Sequence, residues 1–95
     1  RAAGNHLVYR GDELVLISES RGRELTIRLA PGDPDLQVCF APLEHLLTRR
    51  RPSLTRIELE HINGEPASTS EYLDALSIKF LVANDHKGTY LERKL

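Results

Sequence analysis

The chain has 95 residues, of which 40% are hydrophobic and 28% are charged, and its formal net charge at pH 7 is -1. These values are typical of one soluble globular domain over residues 1–95, and they argue against a disordered chain, a strongly basic nucleic-acid module and a membrane-spanning helix. The single cysteine, Cys39, excludes an internal disulfide and favours a reducing compartment, so we expect a cytoplasmic protein. The chain starts at Arg1 without a signal-peptide pattern, and we expect it to be excised from a larger protein.

The first thirty residues predict three antiparallel strands joined by tight turns. Residues 7–9 and 14–17 are rich in β-forming side chains, and Arg10-Gly11-Asp12 lies between them as a turn. A second turn at residues 20–23 leads into a third strand. In that strand apolar side chains alternate with polar ones, at Leu25, Ile27 and Leu29. This period of two places one face on a core.

The next segment predicts a helix that begins near Pro34. Asp33 is a good N-cap, and the proline after it has no N–H to lose in the first turn. Apolar residues then recur at helical spacings of four, three and four, at Leu36, Phe40, Leu43 and Leu47. Pro42 interrupts this stripe, so the pattern predicts either a kinked helix or a short turn followed by a helix from Pro42 to about Arg50.

A fourth strand and a second helix are expected next. Residues 56–61 alternate polar and apolar side chains, which predicts a strand. Asn63-Gly64 is typical of a two-residue hairpin, but Pro66 cannot donate to a strand ladder. Ser68 and Glu71 have the spacing of a capping box, so we favour a helix after this point over a hairpin.

The end of the chain predicts a hairpin, which completes the order βββ-α-β-α-ββ. Residues 80–82 and 90–93 have strand character and flank a turn at residues 85–88. The expected fold is α+β, with two layers and a mostly antiparallel sheet of about six strands. Both helices are expected to cover one face of this sheet, the one that carries Leu25, Ile27, Leu29, Ile57 and Leu59.

No group of residues predicts an enzyme, a metal site or a cofactor site. The four histidines, His6, His45, His61 and His86, lack metal-ligand spacing. Cys39 lies within the apolar stripe and is interpreted as a buried structural thiol. A nucleophile elbow and a glycine-rich phosphate loop are both absent from the sequence. The Arg-Gly-Asp tripeptide is explained by its turn.

The strongest local signal is a cluster of four arginines, Arg49, Arg50, Arg51 and Arg56, with no acid among eight residues. Cations at a helix C-terminus complement the helix dipole, which is the structural interpretation. One helix end does not need three consecutive arginines, however, so phosphate contact is the functional hypothesis.

Motif residues spread over nearly the whole chain follow one recognisable order. They are Ala3-Gly4; Val8, Gly11 and Leu14; Glu19, Gly22, Arg23 and Leu25; Ile57-Glu58; Ile62-Asn63-Gly64-Glu65-Pro66-Ala67; and Ala75-Leu76, Phe80, Gly88 and Leu91. In this order the chain resembles the extreme C-terminal domain of the large helicase-related (Lhr-type) superfamily 2 ATP-dependent DNA helicases of bacteria.

The resemblance implies a noncatalytic accessory role in a DNA-processing ATPase. ATP-binding and helicase motifs would lie in other domains, so the expected partners are the parent helicase domains and DNA, with no membrane and no cofactor in this domain. The alternative is a protein interaction or oligomerisation module without nucleic-acid contact.

Overall fold

The computed structural model describes residues 5–48 and 55–94, which form an α+β fold. Its strands are β1 (His6–Arg10), β2 (Glu13–Glu19), β3 (Glu24–Ile27), β4 (Arg56–Leu59), β5 (His61–Ile62), β6 (Glu65–Pro66), β7 (Phe80–Asp85) and β8 (Gly88–Arg93). Its helices are α1 (Leu36–Cys39), α2 (Ala41–Thr48) and α3 (Leu73–Lys79), with a 3₁₀ turn at Ala67–Thr69. The expected α+β class with mostly antiparallel strands is confirmed.

The strands are divided between two sheets, where a single sheet of about six strands was expected. The five-stranded sheet has the order β1-β2-β3-β5-β6, and the three-stranded sheet has the order β4-β8-β7. Among the described strands, β3 and β5 pair in parallel and the other pairs are antiparallel.

The division occurs at Glu60, inside the predicted fourth strand. The backbone N–H groups of Glu60 and His61 both donate to the carbonyl oxygen of Arg23, over 2.8 and 3.1 Å. The chain therefore leaves the three-stranded sheet after Leu59 and enters the five-stranded sheet at His61. The alternation of buried side chains shifts by one position at this switch, since Ile57 and Leu59 are buried before it and Ile62 is buried after it. His61, which continues the predicted alternation, is therefore only partly buried.

The five side chains expected to face the core are all buried. Leu25, Ile27, Leu29, Ile57 and Leu59 are each at most 4% exposed. They join one cluster to which both sheets and all three helices contribute. The hydroxyl of Tyr72 donates to the carbonyl oxygen of Leu29 over 2.5 Å, which ties the start of α3 to the segment after β3. The periodicity-based prediction of the core is confirmed.

Pro42 separates two short helices and does not kink one long helix. It is the second residue of α2, where a helix needs no N–H, so it causes no loss of a hydrogen bond. The first helix begins at Leu36, two residues later than expected, because the Asp33 side chain accepts the N–H of Asp35 (2.9 Å) in a turn that precedes it. The predicted end near Arg50 lies outside the described residues.

Asn63 and Gly64 form the turn of a β5–β6 hairpin, so the preference for a helix over a hairpin was wrong. Both residues have positive φ, 56° and 79°, as a two-residue hairpin requires. The Asn63 side chain accepts the N–H of Ile27 (2.7 Å) and donates to the Ile27 carbonyl (3.1 Å). Pro66 is tolerated because β6 is an edge strand.

The helix does follow this hairpin, but its start differs from the capping-box prediction. The hydroxyl of Ser70 accepts the N–H of Tyr72 over 3.0 Å, and α3 begins at Leu73. Ser68 and Glu71 therefore do not cap this helix. Hairpin and helix coexist because they occupy successive segments, with the 3₁₀ turn at Ala67–Thr69 between β6 and α3.

Gly22 lies where the two sheets and α2 meet. It follows Ser20 and Arg21 in a turn whose three residues all have positive φ, 55°, 58° and 89°. A Cβ atom added to Gly22 would lie 2.7 Å from Cγ2 of Ile57 and 3.3 Å from Cδ2 of Leu43. Both the backbone conformation and the space therefore require glycine.

We expect Gly22→Ala to lower the free energy of unfolding by about 2 to 4 kcal/mol, because it adds overpacking to the cost of positive φ. Gly64→Ala is the matched control: its φ is also positive, but nothing lies within 4 Å of the added Cβ. This control carries the backbone cost alone, about 1 kcal/mol. Urea unfolding of both variants measures the difference, and equal losses would contradict the close packing at Gly22.

Candidate functional site

Arg56 is the one member of the arginine cluster that the described residues include; Arg49, Arg50 and Arg51 lie outside them. It begins β4, and its Cζ atom lies 3.9 Å from the ring centroid of Tyr90 on β8. A guanidinium over an aromatic face at this distance is a cation–π contact. The structure thus joins a predicted phosphate-binding residue to a tyrosine 34 positions away, a pairing the sequence pattern did not indicate.

The register of the three-stranded sheet places Arg56 on a face that carries acidic, aromatic and apolar side chains. Cross-strand neighbours share a face, and side chains alternate between faces along each strand. We call the side that carries Arg56, Glu58, Tyr90, Glu92 and Leu81 the outer face. The opposite side faces the core.

Arg56 differs from two other described arginines in its relation to acidic side chains. Arg23 forms ion pairs with Glu58 (3.3 Å) and Glu60 (3.2 Å), which partly compensate those two carboxylates. Among residues 5–48 and 55–94, no carboxylate lies within ion-pair distance of Arg56.

Arg10 forms ion pairs with more carboxylates than Arg23 does. It pairs with three acids, Glu13 (3.0 Å), Asp33 (3.3 Å) and Asp35 (3.0 Å). These hydrogen bonds, with that of Asp35 the largest, raise the pKa of the guanidinium above its ordinary value. Gly11 and Asp12 form the two-residue turn between β1 and β2, as expected. The Arg-Gly-Asp tripeptide is therefore explained by its turn and its ion pairs.

Glu24 and His61 form a contact that the sequence did not reveal. Parallel pairing of β3 with β5 places them side by side, and Nδ1 of His61 lies 3.0 and 2.9 Å from the two carboxylate oxygens of Glu24. The hydrogen bond from His61 to Glu24 raises the pKa of His61 above 6.5, with the charges of Glu24 and Glu60 acting in the same direction. The two residues are 37 positions apart, so no local spacing signals them.

Glu24, Glu60 and His61 also offer metal-ligand atoms within 4.8 Å of one another. Each of these side chains already has a protein partner: Glu24 bonds to His61, and Glu60 bonds to Arg23. A cation would have to displace both the Arg23 guanidinium and any proton on His61. Ion pairing accounts for this cluster without a metal.

Two open clefts flank the β5–β6 hairpin. One, of about 310 Å³, is lined by residues that include Asn63, Ser70 and Tyr72. The other, of about 320 Å³, is lined by residues that include His61 and Lys87.

Glu24 orients the His61 ring, as in an acid–base pair. Among the described residues, however, no hydroxyl or thiol hydrogen-bonds to the His61 ring, so a nucleophile for such a pair is missing there.

The remaining candidate residues are dispersed. Cys39 is 4% exposed, its thiol donates to the carbonyl oxygen of Asp35 (3.4 Å), and burial raises its pKa. It is the buried structural thiol that was expected. His6 and Ser18 face each other across β1 and β2, and within the described residues neither the buried Nδ1 of His6 nor the Ser18 hydroxyl has a hydrogen-bond partner.

Comparisons with known proteins give no match: no family model, curated protein or solved structure matches this chain. Within residues 5–48 and 55–94, no helix has the length and apolar character needed to cross a membrane.

The His61–Glu24 contact predicts a pH-dependent contribution to stability. Because the pKa of His61 is raised in the folded state, the stabilisation is fully present below pH 6.5 and is lost as pH rises through the folded-state pKa. We expect the stability difference between wild type and His61→Gln to be larger at about pH 6 than at about pH 9. Urea unfolding at both pH values measures it.

His86→Gln is the control, since His86 lies in the exposed turn before β8 and pairs with no described carboxylate. The same pH trend in both variants would contradict a specific role for Glu24.

Proposed function

We propose that this chain is a noncatalytic accessory domain of an Lhr-type ATP-dependent DNA helicase that binds nucleic-acid phosphates. The order of motifs along the chain supports the helicase context, and a single cysteine, which cannot form an internal disulfide, supports a cytoplasmic location. The observation that carries the phosphate-binding role is the contact of Arg56 with the Tyr90 ring. Arg56 lies close after Arg49, Arg50 and Arg51 in the sequence.

The Arg56–Tyr90 contact leaves a guanidinium that is suited to phosphate. Its Cζ atom lies 3.9 Å from the ring centroid, and a guanidinium carries five N–H donors that match phosphate oxygens. Contact with Tyr90 restricts the long side chain, which lowers the entropy lost on binding. Because no described carboxylate neutralises Arg56, its charge is available to a ligand.

The acids of the outer face limit the strength of this interaction. The negative charge of Glu58 is partly offset by its ion pair with Arg23. Glu92, in contrast, lies directly across from Arg56 on β8 and competes with a phosphate for its charge. The formal net charge of -1 adds no attraction for DNA. We therefore expect weak, sequence-independent and salt-sensitive binding that assists a parent enzyme.

The second candidate function is docking onto another protein domain without nucleic acid. Four large apolar side chains are more than half exposed, Tyr9, Val38, Ile78 and Leu81. Exposed apolar side chains of this size can pack against the surface of a partner protein. The partner would be the remaining domains of the proposed parent chain.

Replacing Arg49, Arg50, Arg51 and Arg56 together by Gln tests phosphate binding. We expect weaker binding to both duplex and single-stranded DNA, without a change in sequence preference. On duplex DNA, the slope of log affinity against log salt is expected to flatten by roughly 0.9 for each phosphate that the variant no longer neutralises. Fluorescence anisotropy at low and moderate salt measures both effects.

A charge-matched control replaces Arg10, Arg21, Arg28 and Lys87, all exposed, by Gln. It removes the same four charges from other parts of the surface, and its binding is expected to stay close to wild type. No binding by the wild type at low salt, or equal losses in the two variants, would contradict a phosphate site and favour the docking function.

A further inference from the structure

The side chain of Asn63 extends the pairing of β3 with β5 beyond the backbone. Its Oδ1 atom accepts the N–H of Ile27 over 2.7 Å, and its Nδ2 atom donates to the Ile27 carbonyl oxygen over 3.1 Å. The backbone N–H of Asn63 donates to the carbonyl oxygen of Leu25 over 2.8 Å. One side-chain amide therefore takes the place of a peptide group beside β3. Only a group that both donates and accepts makes this pair of hydrogen bonds.

Asn63 is also the one asparagine of the chain that a glycine follows, since Asn5 and Asn84 precede residues that carry a side chain. Asparagine is thermolabile, because its amide carbon reacts with the nitrogen of the next residue, and glycine hinders that nitrogen least. Asn63 and Gly64 are exposed, and nothing lies within 4 Å of a Cβ added to Gly64. Among the described residues, none accepts the N–H of Gly64. Water and base therefore reach this turn.

We propose that Asn63 is a site of spontaneous deamidation that the contact with Ile27 keeps closed, and that the reaction releases the β5–β6 hairpin from β3. This modification does not involve the arginine cluster, and it goes beyond the proposed function.

The reaction needs water and base as its only partners. Hydroxide takes the N–H proton of Gly64, and the nitrogen attacks Cγ of Asn63. The new C–N bond closes a succinimide ring while the bond from Cγ to Nδ2 breaks, and Nδ2 takes a proton from water and leaves as ammonia. Water then opens the ring at either carbonyl carbon, which yields aspartate or isoaspartate. One water is consumed for each ammonia released, without any redox change.

The native contact opposes the first step of this reaction. Attack turns the planar amide of Asn63 into a tetrahedral centre, which cannot keep both hydrogen bonds to Ile27. The side chain must therefore leave Ile27 before it reacts, so we expect deamidation only from a locally opened hairpin.

The product cannot restore the contact. An ionised carboxylate only accepts hydrogen bonds, so one of its oxygens would face the Ile27 carbonyl oxygen without a proton between them. Isoaspartate also adds a carbon atom to the main chain of a turn that has two residues. We therefore expect either product to leave the hairpin detached from β3, so that a transient opening becomes permanent.

Peptide mapping by mass spectrometry tests the protection. The full chain is incubated folded, and unfolded in guanidinium chloride, at the same pH and temperature. We expect deamidation of Asn63 to be at least about tenfold slower in the folded chain, because only the opened fraction reacts. Asn5 and Asn84 are internal references in the same digests and are expected to react slowly in both states. Equal rates at Asn63 in the folded and unfolded chains would overturn the proposal.

Asn63→Asp, which is identical to the aspartate product, tests the release. Aspartate tolerates positive φ as asparagine does, so the backbone cost at this position is unchanged. We expect the equilibrium constant for unfolding in urea to rise at least about tenfold, because the carboxylate repels the Ile27 carbonyl.

Asn5→Asp is the matched control for this variant. The Asn5 side chain only accepts a hydrogen bond, from the N–H of Ser20 over 3.0 Å, and a carboxylate keeps that role. Its unfolding is expected to match wild type. An Asn63→Asp variant as stable as wild type, or equal losses in the two variants, would also overturn the proposal. The rate comparison on wild type does not depend on whether a variant folds, and no outcome here bears on DNA binding.

Discussion

The carbonyl oxygen of Arg23 is the point on which the two-sheet architecture depends. It accepts N–H groups from both Glu60 and His61, at the residue where the chain leaves one sheet and enters the other. Every buried or partly buried backbone donor needs a partner, and a strand that changes sheets would otherwise lose its own. The Arg23 side chain reinforces the junction through Glu58 and Glu60. One residue thus satisfies the backbone of the crossover and compensates the acids beside it.

The turn before Arg23 is shaped by the same junction. Two non-glycine residues, Ser20 and Arg21, adopt positive φ, which L-amino acids rarely do. The Asn5 side chain accepts the N–H of Ser20 over 3.0 Å, which offsets part of this cost. The strained turn permits a close approach, because it brings the α-carbon of Gly22 against Ile57 of the other sheet. The positive-φ turn and the close packing of Gly22 against Ile57 therefore require each other.

Features that depend on neighbouring residues were predictable, and features that depend on a distant partner were not. Alternation at Leu25 and Ile27 predicted which face is buried, because burial of a strand face follows from its own pattern. The sheet switch at Glu60 and the contacts His61–Glu24 and Arg56–Tyr90 join residues more than 30 positions apart, and no spacing rule encodes them. For the candidate site, the sequence indicated the arginines but not the tyrosine beneath one of them.

The chain also contains a single intrinsic chemical probe of its own opening. Cys39 is the only thiol of the chain and ends α1. Its thiol is buried and donates to a backbone carbonyl oxygen, and burial raises its pKa. A thiol reagent needs both access and a thiolate, so the native state protects this sulfur twice. Its rate of alkylation would report how often the α1 segment detaches from the core, without any engineered label and without a second cysteine to confuse the signal.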